Sequence, residues 1–480
     1  MQQLLDLIAE MIAILLAEAK EKPELVDGID NLSEKDDNTR RIEAQNLLES
    51  YGFGEKYTVL FDKEEHEFQG ILDEFKKAPS FHCKRWILML LSRKVSWETF
   101  ADMQSGKPFY SMNSNSQETG IILLPKVPVT VTTHDGRPRK DPLRFSSWLN
   151  PLLEGCYFIA VDKLIVNGRT FRINNIIYQP VLNTVCRTSL QIAYSPLCNG
   201  RIEDFLQIEK RDVTKESGET HGVFTVDGIR TEKESYIEDR FVNLYNTACE
   251  EKADIVCSCE MLCTKRLFEI DEVGFNPVLV ETIAKHTQDK IPSLILAPTR
   301  SEKGKNSLRV FDSTGKHLLT QDKQYGYTYE RHTEDLSRCV NEIWILHIPY
   351  WGKIVFPICK DLLQQEYRNL LLQEIRANIL ICPSFSSGST DFELAASAVK
   401  AYAASSIWGN SCIAASEHWD GFIGVIYIPA IGENVSERRI MAECNQKCSE
   451  NCAFLVHLPL DCAGDDRHKD IGAYVNHIFK

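Results

Sequence analysis

The sequence predicts an α/β protein in which a layered strand-and-helix domain follows a helical and then a β-rich region. Three changes of pattern along the chain predict it. Apolar residues recur at three- and four-residue spacing over residues 1–104, short β-branched runs parted by turns fill 105–187, and strands alternate with helices over 188–480. A chain of 480 residues, 43% hydrophobic and 25% charged, has room for two or three domains and a large core.

The opening stretch, MQQLLDLIAEMIAILLAEAKE, repeats Leu4, Leu5, Ile8, Ile12, Leu15 and Leu16 at helical spacing, which predicts a packing helix. Asp6 and Glu10 interrupt the run and no basic start precedes it, so it is too charged and too short for a targeting segment or a membrane span. No later window makes a span, and no membrane partner is expected. The polar stretch PELVDGIDNLSEKDDNTRR reads as a linker, after which EEHEFQGILDEFKKA and HCKRWILMLLSRKVSWETF return to helical periodicity. GIILLPKVPVTVTT, CYFIAVDKLIV and FRINNIIYQPVL, punctuated by HDGRPRKDP and NGR turns, predict the strands of a bridging segment.

Beyond Arg187 the order is strand LQIAYSPL, a helix over about residues 235–252, strand DIVCSCE, a helix over about residues 277–287, and strand SLILAPT. Next come paired strands in SLRVFDSTGKHLLTQDKQ around a Thr314-Gly315 turn, then EIWILHIPY, KIVFPIC, the helix DLLQQEYRNLLLQEIRA and the strand NILICPS. In such sheets, chemistry-bearing residues sit where strands end and loops begin.

The formal net charge of -14 and pI near 5.4 argue against broad attraction to a phosphate backbone, so nucleic acid is not an expected partner. Sixteen cysteines are scattered through core-like segments and do not make a compact secreted frame; a reducing, cytoplasmic setting fits them.

Three strand ends carry candidate chemistry. KIVFPIC delivers Cys359 immediately before a helix opening at Asp361, where a helix N-terminus favours the thiolate and backbone N–H groups can receive an oxyanion. DIVCSCE ends on Glu260, and HLLTQDK ends on Lys323. A carboxylate to take the thiol proton and an ammonium to stabilise charge on an attacked carbonyl oxygen complete a working set. Taken singly, each of the three is more often a buried cysteine or a solvated strand end than a catalyst.

Together, three motifs resemble the nitrilase, or carbon-nitrogen hydrolase, superfamily over residues 188–429. ADIVCSCE is similar to a strand ending on a general-base glutamate. SLRVFDSTGKHLLTQDKQYGYTYE is similar to a hairpin leading to a catalytic lysine and a further glutamate. GKIVFPICKDLLQQEYRNLLLQEIRANILICPS is similar to the strand, nucleophilic cysteine, helix and strand that follow. The resemblance implies Cys359 as nucleophile, Glu260 as general base, Lys323 as oxyanion stabiliser, Glu330 as the second glutamate and the backbone N–H of Lys360 as an oxyanion donor. Asp361 reads as a structural helix-start acid.

The resemblance further implies an αββα sandwich, a homo-oligomer, an amide or nitrile of small-molecule size as substrate, and no metal or organic cofactor. Nitrilase-like domains also occur fused to reverse transcriptases in bacterial antiviral defence, so an effector or assembly module is the alternative, with residues 1–187 as the docking region for a protein partner. The chain departs from the family pattern at Cys259, where proline usually precedes the glutamate, and at Lys360, which sets an extra cation beside the nucleophile. The segment GRIEDFLQIEKRDVTKESGETHGVFTVDGIRTEKE makes the connection after the first strand long.

Other signals carry less. Cys444, Cys448 and Cys452 recur at four-residue intervals with Cys462 nearby, but the spacing is no common zinc or iron-sulfur pattern and no histidine is interleaved. Cys257, Cys259 and Cys263 read as small core residues. SFSSGST lacks the partner motif of a serine amidase and reads as a loop near the pocket mouth. His66-Glu67 lacks the second histidine of a zinc protease, and no phosphate-binding glycine loop is present.

Overall fold

The computed structural model describes residues 2–27, 33–53, 65–78, 80–104, 119–128, 148–180, 189–197, 199–214, 220–287, 290–329, 331–386, 390–402, 404–410, 412–414, 422–427, 439–443, 452–459 and 475–479. The chain divides into two compact units, the first made of 1–127, 141–177 and 373–375, the second of 128–140, 178–372 and 376–480.

In the first unit, helices α1 (Gln2–Glu21), α2 (Glu34–Ser50), α3 (Glu65–Lys77) and α4 (Phe81–Ser92) share one core with the antiparallel pair β1 (Ile121–Pro125) and β2 (Cys156–Ala160). Leu4, Leu5, Ile8, Ile12 and Leu15 form the buried face of α1, as its spacing predicts. Helix α2 corrects the expectation of a linker. Ser33 caps it by accepting the Asp36 N–H at 3.1 Å, and Glu34, Asp36 and Asp37 load its first turn. Asp37 then accepts from Arg85 at 2.6 Å and Trp86 at 2.8 Å on α4. The helix buries only Ala44 and Leu48, too few apolar positions to show a period.

Two large sheets make up most of the second unit. The first runs in the order β8 (Lys305–Asp312), β7 (Leu294–Leu296), β6 (Ile255–Ser258), β3 (Ser189–Ser195), β17 (Cys452–Pro459), β18 (Val475–Phe479), and β9 (His317–Asp322) pairs with β8. Strands β3, β6 and β7 are parallel, and their residues are almost all buried, which is why they read as continuous apolar runs. The second sheet contains, in order, β16 (Arg439–Glu443), β15 (Phe422–Tyr427), β14 (Ser405–Asn410), β13 (Ile379–Ser384), β12 (Gly352–Val355) and β11 (Glu342–Ile348), with β12, β13 and β14 parallel.

The sheets face each other. Tyr194 of β3 lies so close to Gly409 of β14 that a Cβ there would stand 2.3 Å from its ring, and the Tyr194 hydroxyl donates to the Asn410 carbonyl. Helix α5 (Thr231–Glu250) covers β3, β6 and β17, and helix α7 (Thr390–Ala401) covers β14 and β15. Between them in sequence, α6 (Lys360–Leu363) makes a single turn. The result is a helix–sheet–sheet–helix sandwich, as the resemblance implies, where the alternating pattern by itself predicts a layered α/β sheet.

The long connection after β3 forms a hairpin of its own, β4 (Leu206–Thr214) with β5 (Thr220–Ile229), and the short strand β10 (His332–Glu334) joins it in parallel beside β5. Among the described residues, no helix is long and apolar enough to cross a membrane.

Candidate active site

The carboxyl ends of β6, β12 and β13 meet on one side of the sandwich. Strand β6 stops at Ser258, and two residues later Glu260 is fully buried, its N–H directed at the Ser384 carbonyl at 3.4 Å. The next residue, Met261, takes the left-handed conformation at φ 64° and donates its N–H to Thr299 Oγ1 at 2.8 Å, a reversal that turns Glu260 inward. Lys323 follows β9 directly, fixed by its N–H on the Asn306 carbonyl at 2.8 Å.

The Lys323 ammonium lies between two carboxylates, donating to Glu260 Oε1 at 2.6 Å and Glu334 Oε2 at 2.5 Å. Asn306 joins the same two groups from the other side, with Nδ2 donating to Glu260 Oε1 at 2.9 Å and Glu334 Oε1 at 3.0 Å. The Tyr327 N–H adds a further donor to Glu334 Oε2 at 3.1 Å. Lys323 is 0% exposed, so these charge-assisted bonds form out of water, where they are strong and where a missing partner is costly.

Cys359 is 1% exposed and stands at φ 47° and ψ −110°, a strained setting for a residue with a side chain. Its N–H donates to the Pro383 carbonyl at 2.9 Å, and its thiol is 3.9 Å from the Phe385 carbonyl. Asp361 holds this bend against the lysine segment: Oδ1 accepts the N–H groups of Gln324 at 2.9 Å and Tyr325 at 2.8 Å, and Oδ2 accepts that of Ile358 at 3.0 Å. Asp361 is thus a clasp between two segments. Burial pushes its carboxyl up to about 7 despite those three donors.

Electrostatics couple the cluster. Burial raises the Glu260 carboxyl, with Lys323 opposing and Glu334 reinforcing the rise. Lys323 is raised well above its ordinary value because the two carboxylates outweigh its desolvation. The Cys359 thiol is pushed up by burial first and the Glu260 carboxylate second, with Lys323 pulling the other way. This corrects the expectation of a resting thiolate. Helix α6 has only four residues, too little for a dipole that outweighs burial and a neighbouring carboxylate. Burial and the neighbouring carboxylate thus both favour the neutral form of the Cys359 thiol, and Glu260 Oε2 is buried with no ordinary hydrogen-bond partner among the described residues.

The structure brings Glu260, Lys323 and Cys359 together. Lys360 opens α6, half-buried, and its N–H belongs to a first helical turn that lacks intrahelical acceptors. Glu330 lies outside the described residues; the second carboxylate on Lys323 is Glu334, which the sequence reading missed, as it missed Asn306. The hairpin register held a signal for Asn306: Ser307 pairs with Asp322, which sets Asn306 opposite Lys323. Cys257, Cys259 and Cys263 are buried, and burial raises each to about 12. Cys444, Cys448 and Cys462 lie outside the described residues, and Cys452 opens β17.

No protein-family model matches the chain, and no curated protein does. Solved structures similar to it include an amidase from Nesterenkonia sp., with 16% identity, 60% of this chain and 98% of that chain covered, and a TM-score of 0.33. A mutant of the Nesterenkonia AN1 amidase, from the nitrilase superfamily, has 15% identity, 58% and 94% coverage and a TM-score of 0.35. The C. elegans NitFhit protein has 15% identity, 57% and 62% coverage and a TM-score of 0.35. Superposition at these scores is loose.

Proposed function

We propose that this chain is a thiol-dependent hydrolase of non-peptide carbon–nitrogen bonds in small-molecule amides or nitriles. The observation that carries the reading is the Lys323 ammonium held between Glu260 and Glu334 beside a buried cysteine on a strained bend. An ammonium has three donors; two engage carboxylates, which leaves one for a substrate oxygen.

For an amide, Glu260 takes the thiol proton as Cys359 Sγ bonds to the carbonyl carbon, and negative charge on the oxygen is met by Lys323 and the Lys360 N–H. Glu260 then returns that proton to the departing nitrogen, the C–N bond breaks, and ammonia or an amine leaves a thioester. Water, deprotonated by Glu260, attacks the thioester; the C–S bond breaks and the carboxylic acid and free thiol are restored. A neutral resting thiol suits this route, since proton transfer accompanies attack and no standing thiolate is required.

Incubation with a panel of simple amides, followed by intact-mass and peptide mapping, tests the reading. A mass increase on Cys359 matching the acyl group, with release of ammonia, is expected from wild type and absent from Cys359→Ala. Turnover that survives Cys359→Ala would exclude the thiol mechanism.

A further inference from the structure

The second carboxylate is delivered by an unusual route. Glu334 is the last residue of the three-residue strand β10, which pairs with the inserted hairpin on one side, with Thr328–Tyr329 on the other, and with neither main sheet. The parallel register sets His332 beside Gly222, Thr333 beside Val223 and Glu334 beside Phe224, and the Asp335 N–H donates to the Phe224 carbonyl at 2.8 Å. Phe224 and Val226 are core residues, which root the hairpin, whereas the middle of β4 is exposed. From that exposed part Arg211 reaches Asp335 at 2.8 Å, one residue past the glutamate.

The approach of the two strands is close enough to demand glycine. A Cβ at Gly222 would lie 2.7 Å from His332 Cδ2 and 2.9 Å from the Arg331 carbonyl oxygen, so any side chain there forces β10 outward. On the far side of β10, a Cβ at Gly326 would lie 2.6 Å from the Glu334 carbonyl. The backbone on either side of Glu334 is thus gripped between the hairpin and the segment that follows Lys323.

We infer that the inserted β4–β5 hairpin is a positioning arm, which sets the Glu334 carboxylate on Lys323 and thereby tunes the charge felt by the nucleophile. Its consequence for catalysis rests on the hydrolase reading, but its effect on the thiol can be read without any substrate.

The experiment is the rate of iodoacetamide alkylation at Cys359, followed by peptide mass spectrometry at a fixed pH of about 8, for wild type, Glu334→Gln, Gly222→Ala, Arg211→Ala and Glu209→Ala, with folding checked by circular dichroism. Below the midpoint of a raised thiol the rate follows the thiolate fraction, so removing one negative charge from the cluster speeds alkylation of Glu334→Gln about tenfold. Gly222→Ala speeds it at least about threefold, Arg211→Ala by less, and Glu209→Ala, exposed on the same arm, leaves it unchanged. A folded Gly222→Ala protein with the wild-type rate overturns the inference, as does a Glu334→Gln rate that stays put. Where Gly222→Ala does not fold, Arg211→Ala decides, and an unchanged rate there overturns it. Amide turnover is scored separately: a wild type whose thiol follows Glu334 but which releases no ammonia fails as a hydrolase and leaves the arm standing.

Discussion

Replacing Asn306 by aspartate changes one NH₂ for one oxygen at nearly constant shape, in a side chain that donates to Glu260 at 2.9 Å and to Glu334 at 3.0 Å. The substitution removes two charge-assisted hydrogen bonds and sets a third carboxylate against two others that share one ammonium. Like charges about 3 Å apart repel by about 5 kcal/mol at an effective dielectric of about 20, so one of the three carboxylates takes a proton instead. Glu260 is already raised by burial. If about half of that repulsion falls on its ionised form, the carboxyl rises by about two further pH units, and the fraction of Glu260 able to act as a base at neutral pH drops by up to about a hundredfold. The expected loss in kcat/KM is therefore up to about 10² for Asn306→Asp, with activity partly recovered toward alkaline pH. Asn306→Ala, which loses the bonds but adds no charge, should lose less. The assay is ammonia release across pH, beside thermal unfolding to confirm folding. An isosteric aspartate variant milder than the alanine variant would refute the reasoning, because packing and not charge would then be the role of Asn306.

Three further outcomes follow from the same geometry. Asp361→Asn turns one acceptor oxygen into a donor facing a backbone N–H, which should cost about 2 kcal/mol in urea unfolding and slow acylation of Cys359; unchanged stability would remove the clasp role. Lys360→Glu should raise KM for carboxylate-bearing amides about tenfold and leave neutral amides nearly unaffected, as steady-state kinetics on matched pairs will show. His317 is lowered from its ordinary value to about 4 by burial and by Arg309, so between pH 6.5 and about 4 the unfolded chain binds a proton that the folded chain refuses. Stability present above pH 6.5 is therefore lost as pH falls through that window, on the order of 1–3 kcal/mol, and urea unfolding of His317→Gln at pH 5 and 7 should show a smaller difference than wild type.

The sequence carried much of the second unit because its strands are buried on both faces and end abruptly. IVCS before Glu260 and the apolar run before Cys359 are legible for that reason, and the Thr314-Gly315 turn set the hairpin that leads to Lys323. Glu334 was not legible, since its place depends on pairing with Phe224 more than a hundred residues earlier as well as on the short local pairing with Thr328–Tyr329, and nothing in HTE itself announces a strand. Asn306 hides in the same way: only the cross-strand register shows that it faces Lys323. Helix α2 escaped because its stabilising features are a cap and surface charges, with two buried residues to mark a period. The raised thiol was misjudged because burial, which outweighs a single helical turn, is a property of the folded sandwich.

The facing of the two sheets has a kinetic meaning. Glu260, Asn306 and Lys323 belong to segments of the first sheet, whereas Cys359 leaves the second, so each layer folded alone holds only part of the chemistry. The Glu260 N–H on Ser384 and the Tyr194 ring on Gly409 form only when the layers dock. Such contacts join residues far apart in the chain, and closing long loops belongs to the slow end of folding. Reactivity at Cys359 should therefore be the last property to return during refolding, after the helical signal has recovered, and it reports on the seam between the layers more sharply than any measure of secondary structure.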